Sequence, residues 1–300
     1  MYQRRTDLAD EAKELFEASA EKTTTLEGVR ARQYGRRGCS VTAVDVLDHE
    51  GSRAIGKPMG RYLTVELRRN QEPSYFPDTA RCIAEELRRL MPRRTLDAPV
   101  LIAGLGNRDI TPDAIGPQVT ENILITRHLQ QSLPELFSSF APVCAISTGV
   151  LGTTGVESAE MIHGVVQRIR PAYLIVVDAL VSRKMERLCA TVQLSNTGLI
   201  PGSGVGNYRN ALNEDTLHVP VLSVGVPTVI EAATLAADLL EESGAEIAEE
   251  PFSAKFDRSV IVTPKDIDSQ VKELSRLIGY GINLALQPDL TVEDITAFLG

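Results

Sequence analysis

The chain has 300 residues, 43% apolar and 5% aromatic, with no tryptophan and a formal net charge of −9. Aliphatic side chains must fill the core, which suits helices packed on a buried, largely parallel sheet. The acidic balance argues against nucleic-acid binding but would not repel a basic protein substrate. No apolar run approaches the roughly 18–20 residues of a membrane span. The N-terminus lacks the apolar stretch of a secretory signal, so a soluble protein is expected. Cys39, Cys82, Cys144 and Cys189 show no CxxC pair and no metal spacing, and read as reduced, buried thiols.

Thr6 to Glu21 reads as a helix capped by Thr6, with an apolar stripe of Leu8, Ala12, Leu15 and Phe16. Residues 26–33, 40–47 and 61–67 are short β-type runs between glycine-containing turns. Pro77 to Met91 reads as a helix with Arg88, Arg89, Arg93 and Arg94 at its end, complementing the helix dipole. Strand and helix then alternate. A buried strand at 99–105 precedes a helix from Pro112 to Gln131; a strand at 143–146 precedes a helix over 157–169. The strand Ala172–Asp178 is apolar until it ends at its aspartate. Further strands occupy 190–195 and 220–225, and Thr228 with Glu231 has the spacing of a capping box opening a helix. Residues 241–258 read as an exposed connection. Thr263-Pro264 opens a helix to about Leu286, and a short helix closes the chain over 291–299. The alternation indicates an α/β protein with a mostly parallel sheet and helices on both faces.

Several motifs fail on spacing. Gly104-Leu-Gly106 follows a strand, but Asp109 stands where a dinucleotide site needs its third glycine. No phosphate loop of the GxxxxGK[ST] type occurs. His49-Glu50 lacks the second histidine of a zinc helix, and Gly202-Ser203-Gly204 lacks the spacing of a nucleophile elbow. Four histidines (His49, His128, His163 and His218) supply a catalytic triad poorly.

The carboxylates carry more. Asp178 closes an apolar strand, where desolvation favours its neutral form unless it is paired. Carboxyl ends of parallel strands are also where open α/β sheets place their sites. Asp113 taken alone reads as a first-turn acid stabilised by the helix dipole. It nevertheless follows the first strand of this region closely enough to reach the same edge. Two carboxylates meeting there can share a proton, one activating water and the other hydrogen-bonding the scissile carbonyl. The run from Pro201 to Asn207 offers backbone N–H groups to a substrate, or is simply a tight glycine loop.

The run GLGNRDITPDAIGPQVTENILITRHL (104–129) closely resembles the spore germination protease family of Bacillus and Clostridium relatives. So do 149–166, 176–188, 197–209 and 219–232, and the likeness continues in 5–12, 48–66 and 262–271, covering nearly the whole chain. The resemblance implies an endopeptidase, working without a cofactor or metal, that degrades small acid-soluble spore proteins in the spore core as germination begins. It implies a homotetramer in the forespore cytoplasm, bound to neither membrane nor nucleic acid, with a fold related to hydrogenase maturation endopeptidases plus an N-terminal β-rich elaboration. It also implies a zymogen that trims itself. The cut falls between Asp7 and Leu8, leaving residues 1–7 as propeptide and 8–300 as a single α/β peptidase domain. The family's proposed catalytic aspartates fall on Asp113 and Asp178. Seven residues precede the cut, fewer than in Bacillus members, and 241–258 is shorter than in those relatives.

Arg183, Gly202, Ser203 and Gly204 are candidate substrate contacts, Arg183 because the substrate residue before the cut is acidic. Two other readings stay open here. One is a nickel-type, metal-assisted peptidase with Asp113, Asp178 and His163 or Glu157 as ligands. The other is a non-catalytic binding protein in which Asp178 is a buried acid paired to Arg183 or Arg187.

Overall fold

The computed structural model describes residues 6–19, 26–67, 75–95, 97–202, 210–243 and 260–300. Nine strands of these residues join one sheet: β1 (Val29–Arg36), β2 (Cys39–Val46), β3 (Gly60–Glu66), β4 (Val100–Leu105), β5 (Val143–Gly149), β6 (Tyr173–Val181), β7 (Thr191–Ser195), β8 (Val221–Glu231) and β9 (Ile261–Val262). The order is β1-β2-β3-β7-β8-β6-β4-β5, and β9 pairs with the end of β8. β5, β4, β6 and β8 run parallel, whereas β7, β3, β2 and β1 continue antiparallel from the other edge of β8. The α/β class holds. The sheet is mixed, because the N-terminal β-rich part forms its antiparallel half.

The first helices are α1 (Ala9–Ser19), α2 (His49–Ile55), α3 (Tyr75–Leu90), α4 (Ile115–Thr120), α5 (Arg127–Ser132) and α6 (Pro134–Phe137). They are followed by α7 (Leu151–Thr154), α8 (Ser158–Ile169), α9 (Glu214–Leu217), α10 (Ala232–Glu242), α11 (Ile267–Leu286) and α12 (Val292–Leu299). Alternation along the buried strands sets the layers. Ile102, Ile175 and Val177 face a core shared with Ile83 and Leu87 of α3 and Leu277 and Ile278 of α11. Leu101, Leu174 and Val176 face Ile162 and Val166 of α8 on the other side. A third, smaller core sets Ala9 and Ala12 of α1 against Val44, Val46 and Tyr62. Among the described residues, no helix is long and apolar enough to cross a membrane.

Three differences from the sequence reading bear on the site. The helix expected over 112–131 is broken into a 3-10 turn, Thr111–Asp113, then α4 and α5. The chain leaves α4 because Ile123 and Leu124 turn into the core and the Leu124 N–H is taken by the Asn283 side chain at 2.9 Å. β6 runs on past Asp178 to Val181, because β8 extends alongside it to Val229. Thr228 and Glu231 therefore lie in β8 and open no helix; the helix starts at Ala232. Tertiary pairing overrides the local capping pattern. By contrast, Glu157 and Glu160 form a capping box at α8, and Thr291 with Asp294 caps α12.

α4 sits against β4 and β6 through two glycines. A Cβ on Gly116 would lie 2.2 Å from the Leu105 carbonyl oxygen and 2.6 Å from that of Val177. A Cβ on Gly104 would lie 2.2 Å from the Gly116 carbonyl oxygen. These are backbone collisions, which no side-chain rotation relieves. Gly116→Ala is therefore expected to cost roughly 1–3 kcal/mol of stability, as overpacked cores do, read from the midpoint of urea unfolding. An unchanged midpoint would mean that the contact is looser than described.

Candidate active site

The carboxyl ends of the parallel strands carry the candidate carboxylates. Asp178 is 7% exposed and accepts from the Ala179 N–H at 3.0 Å. On the neighbouring strand Gly104 pairs with Val177, so β4 ends level with Asp178. The chain then turns at Gly106, whose φ of +109° suits glycine. A Cβ there would meet the Asp113 carbonyl oxygen at 2.0 Å and its Oδ1 at 3.0 Å. The Asp113 carboxylate accepts from the Asn107 N–H at 2.7 Å. The 3-10 turn holding Asp113 rests against β6 and β8, and the Thr228 hydroxyl donates to the Pro112 carbonyl at 2.7 Å. Both aspartates thus lie at one edge, on β6 and on the loop leaving its neighbour β4.

The segment before α1 is docked against β6, β7 and Lys57. The Asp7 N–H donates to the Val181 carbonyl at 2.9 Å, and the Val181 N–H returns a bond to the Asp7 carboxylate at 2.9 Å. The Asp7 carbonyl accepts from Lys57 Nζ at 3.0 Å and Gln193 Nε2 at 3.2 Å. Leu8 and Ala9 are fully buried. The Glu11 carboxylate accepts from the Ser182 hydroxyl at 3.0 Å and the N–H groups of Arg183 and Lys184 at 2.8 and 3.1 Å. Arg187 lies 3.2 Å from Asp10, and Lys184 Nζ 2.7 Å from Glu14.

Burial dominates the electrostatics of this anchor. Desolvation pushes the Asp10 and Glu11 carboxyls up; Arg187 opposes it at Asp10, and the Thr6 hydroxyl and backbone N–H groups oppose it at Glu11. Desolvation pushes the Lys57 ammonium down, against the pull of Asp7, Glu11 and Asp10.

The other candidates fare differently. The Arg183 guanidinium pairs with Asp238 of α10 at 2.8 Å, and Arg187 pairs with Asp10. The basic residues after Asp178 therefore pair with acidic groups of α1 and α10. Gly202 ends a described stretch at φ +71°, while Ser203 and Gly204 lie outside the described residues. Glu157 caps α8, and His163 lies 3.3 Å from Gln167 one turn along it. Among the described residues, no group of three His, Cys, Asp or Glu side chains converges as a metal site. Lys57 and Gln193 escaped the sequence reading. The one available signal was Gln193, a polar residue in the buried strand Thr191–Ser195.

A profile of the germination protease family matches residues 7–255. The chain belongs to the germination protease family. It is 40% identical to a germination protease of Caldanaerobacter subterraneus subsp. tengcongensis, over 98% of each chain. It is 39% identical to one of Clostridium perfringens, over the full length of both. With the one from Bacillus licheniformis it shares 39% identity over 90% of this chain and 77% of that one. Among solved structures, a NiFe-hydrogenase maturation protease of Thermococcus kodakarensis is similar at a TM-score of 0.33 and 14% identity, covering 62% of this chain and 92% of that one. As a germination protease family member the chain is an endopeptidase, and the parallel-strand edge is its candidate active site.

Thr228 tests how this edge is held. Thr228→Val leaves the Pro112 carbonyl without its donor, at an expected cost of about 1 kcal/mol. Hydrogen exchange at the Asp113 and Ala114 amides should quicken, and rates equal to the parent's would show that the turn is held by other contacts.

Proposed function

We propose that this germination protease family member begins the breakdown of small acid-soluble spore proteins during germination. In this reading it is made as a zymogen, it trims its own N-terminus between Asp7 and Leu8, and both cuts use Asp113 and Asp178. The docked N-terminal segment carries the reading. The bond expected to be cut, in an acidic-then-apolar sequence, is held at its flanking groups by Val181, on the strand that bears Asp178, and by Gln193 two strands away. Residues 1–7 then form the propeptide, and residues 8–300 the peptidase domain, acting as a homotetramer in the forespore cytoplasm.

The mechanism is water attack assisted by a carboxylate pair. One carboxylate, ionised, takes a proton from the attacking water; the other, protonated, hydrogen-bonds the carbonyl oxygen of the scissile bond. The near-complete burial of Asp178 favours sharing one proton between the two, because two adjacent charges in a poorly solvated site repel strongly.

Asp113→Asn and Asp178→Asn should each slow self-trimming and cleavage of small acid-soluble spore protein by about 10²–10⁴-fold, with unchanged thermal unfolding. Either variant cutting at the parent's rate would remove the pair from the chemistry. Exhaustive chelation should leave the rates as they were, and a loss restored by added metal would favour metal-assisted hydrolysis.

A further inference from the structure

We propose that Lys57 and Gln193 form the site that holds the carbonyl of the residue before the cut, with Gln193 clamping both sides of the scissile bond. The proposal rests on the reading that Asp113 and Asp178 cut the Asp7–Leu8 bond. The Asp7 carbonyl oxygen accepts from the Lys57 ammonium at 3.0 Å and from Gln193 Nε2 at 3.2 Å. Gln193 Oε1 accepts from the Ala9 N–H at 2.8 Å. The second bond fixes the orientation of the amide: an N–H at Ala9 requires the oxygen there, so the NH₂ faces the Asp7 carbonyl. One planar side chain therefore spans Leu8 and holds the bond before it from both ends.

Register places Gln193 on the same row as Asp178. Gln193 of β7 is paired with Gly225 of β8, and Gly225 is paired with Asp178 of β6. Residues paired across adjacent strands project from the same face, so Gln193 and Asp178 flank a glycine. The two Cα atoms are then about 10 Å apart, two strand spacings, and the Leu180 side chain fills the space over the glycine between them. Lys57 also reaches the Thr6 carbonyl at 3.1 Å, so its ammonium grips two successive carbonyls, and the second belongs to the bond to be cut.

The chemistry uses both donors. A water oxygen bonds to the Asp7 carbonyl carbon while its proton passes to the aspartate pair, and negative charge develops on the carbonyl oxygen. Lys57 and the Gln193 N–H stabilise that charge. Collapse breaks the carbon–nitrogen bond to Leu8, whose nitrogen takes a proton from the pair. Donors already aimed at an oxygen in a poorly solvated site stabilise developing charge strongly. Once residues 1–7 leave, the same donors can receive the carbonyl of a substrate's acidic residue, whose carboxylate would replace that of Asp7 at the Val181 N–H.

The test follows self-trimming of the full chain by mass spectrometry in Lys57→Met, Lys57→Arg and Gln193→Glu. Gln193→Glu keeps an acceptor for Ala9 and removes the donor to Asp7, and hydrogen exchange of the Ala9 amide reports docking. Lys57→Met and Gln193→Glu are each expected to trim about 10²-fold more slowly, the cost of one carbonyl donor, with Ala9 still protected in Gln193→Glu. Lys57→Arg, which keeps a charged donor, should retain most of the rate. It should also lose the alkaline limb that the lowered Lys57 titration, opposed by Asp7, Asp10 and Glu11, imposes on the parent. Trimming within threefold of the parent in Lys57→Met or Gln193→Glu would overturn the proposal, as would a slowing that only follows loss of Ala9 protection. Asp178→Asn separates the two levels. If it trims normally, the underlying reading fails; if it is inactive while Lys57→Met and Gln193→Glu trim normally, only the carbonyl site fails.

Discussion

Strand β8 has to serve both halves of the sheet. Its eleven residues are all buried, and it pairs parallel with β6 on one edge and antiparallel with β7 on the other. Side chains alternate faces along a strand, so a slip of one residue would move every neighbour to the wrong side. Val224 and Val226 lock the register by entering the core beneath α3 and α11. Gly225 is left between them on the opposite face, with Gln193 and Asp178 to either side. The same strand supplies the Thr228 hydroxyl to the turn that carries Asp113. One register thus determines where the candidate carboxylates stand relative to the docked N-terminus.

The N-terminal anchor is electrostatically costly. Lys57, Asp7, Asp10, Glu11 and Arg187 bring charges into a poorly solvated region, and burial is the largest influence on Asp10, Glu11 and Lys57. Pairing and backbone N–H groups offset much of that cost, and breaking one partner would leave another charge uncompensated. Burial of Leu8 adds roughly 2 kcal/mol of apolar stabilisation. Such an arrangement holds the segment in one geometry, which a simple hydrophobic contact would not.

Much of the fold was legible because long apolar runs have few alternatives. β4, most of β6 and the helices α8 and α12 follow from the hydrophobic pattern alone. Local pattern misled where long-range pairing decided the outcome. Thr228 and Glu231 have capping-box spacing, yet β6 and β9 pull them into a strand. The helix expected after Pro112 breaks because Asn283, from far along the chain, takes the Leu124 N–H. At the site, Asp178 stood out as a carboxylate in an apolar strand, whereas Asp113 needed family resemblance, since many helices start with an acid. Lys57 was invisible: a lysine in a turn has no local signature of the carbonyl it will meet. The ion pair of Arg183 was equally hidden, because its partner Asp238 lies in a distant helix.

The central claim is that each chain presents its own Asp7–Leu8 bond to its own carboxylates. The direct measurement is the rate of self-trimming over a hundredfold range of protein concentration. An intramolecular cut predicts first-order kinetics with a half-time independent of concentration. A rate rising in proportion to concentration would show that the bond is cut by another molecule, and that the docked segment is not poised for the chemistry.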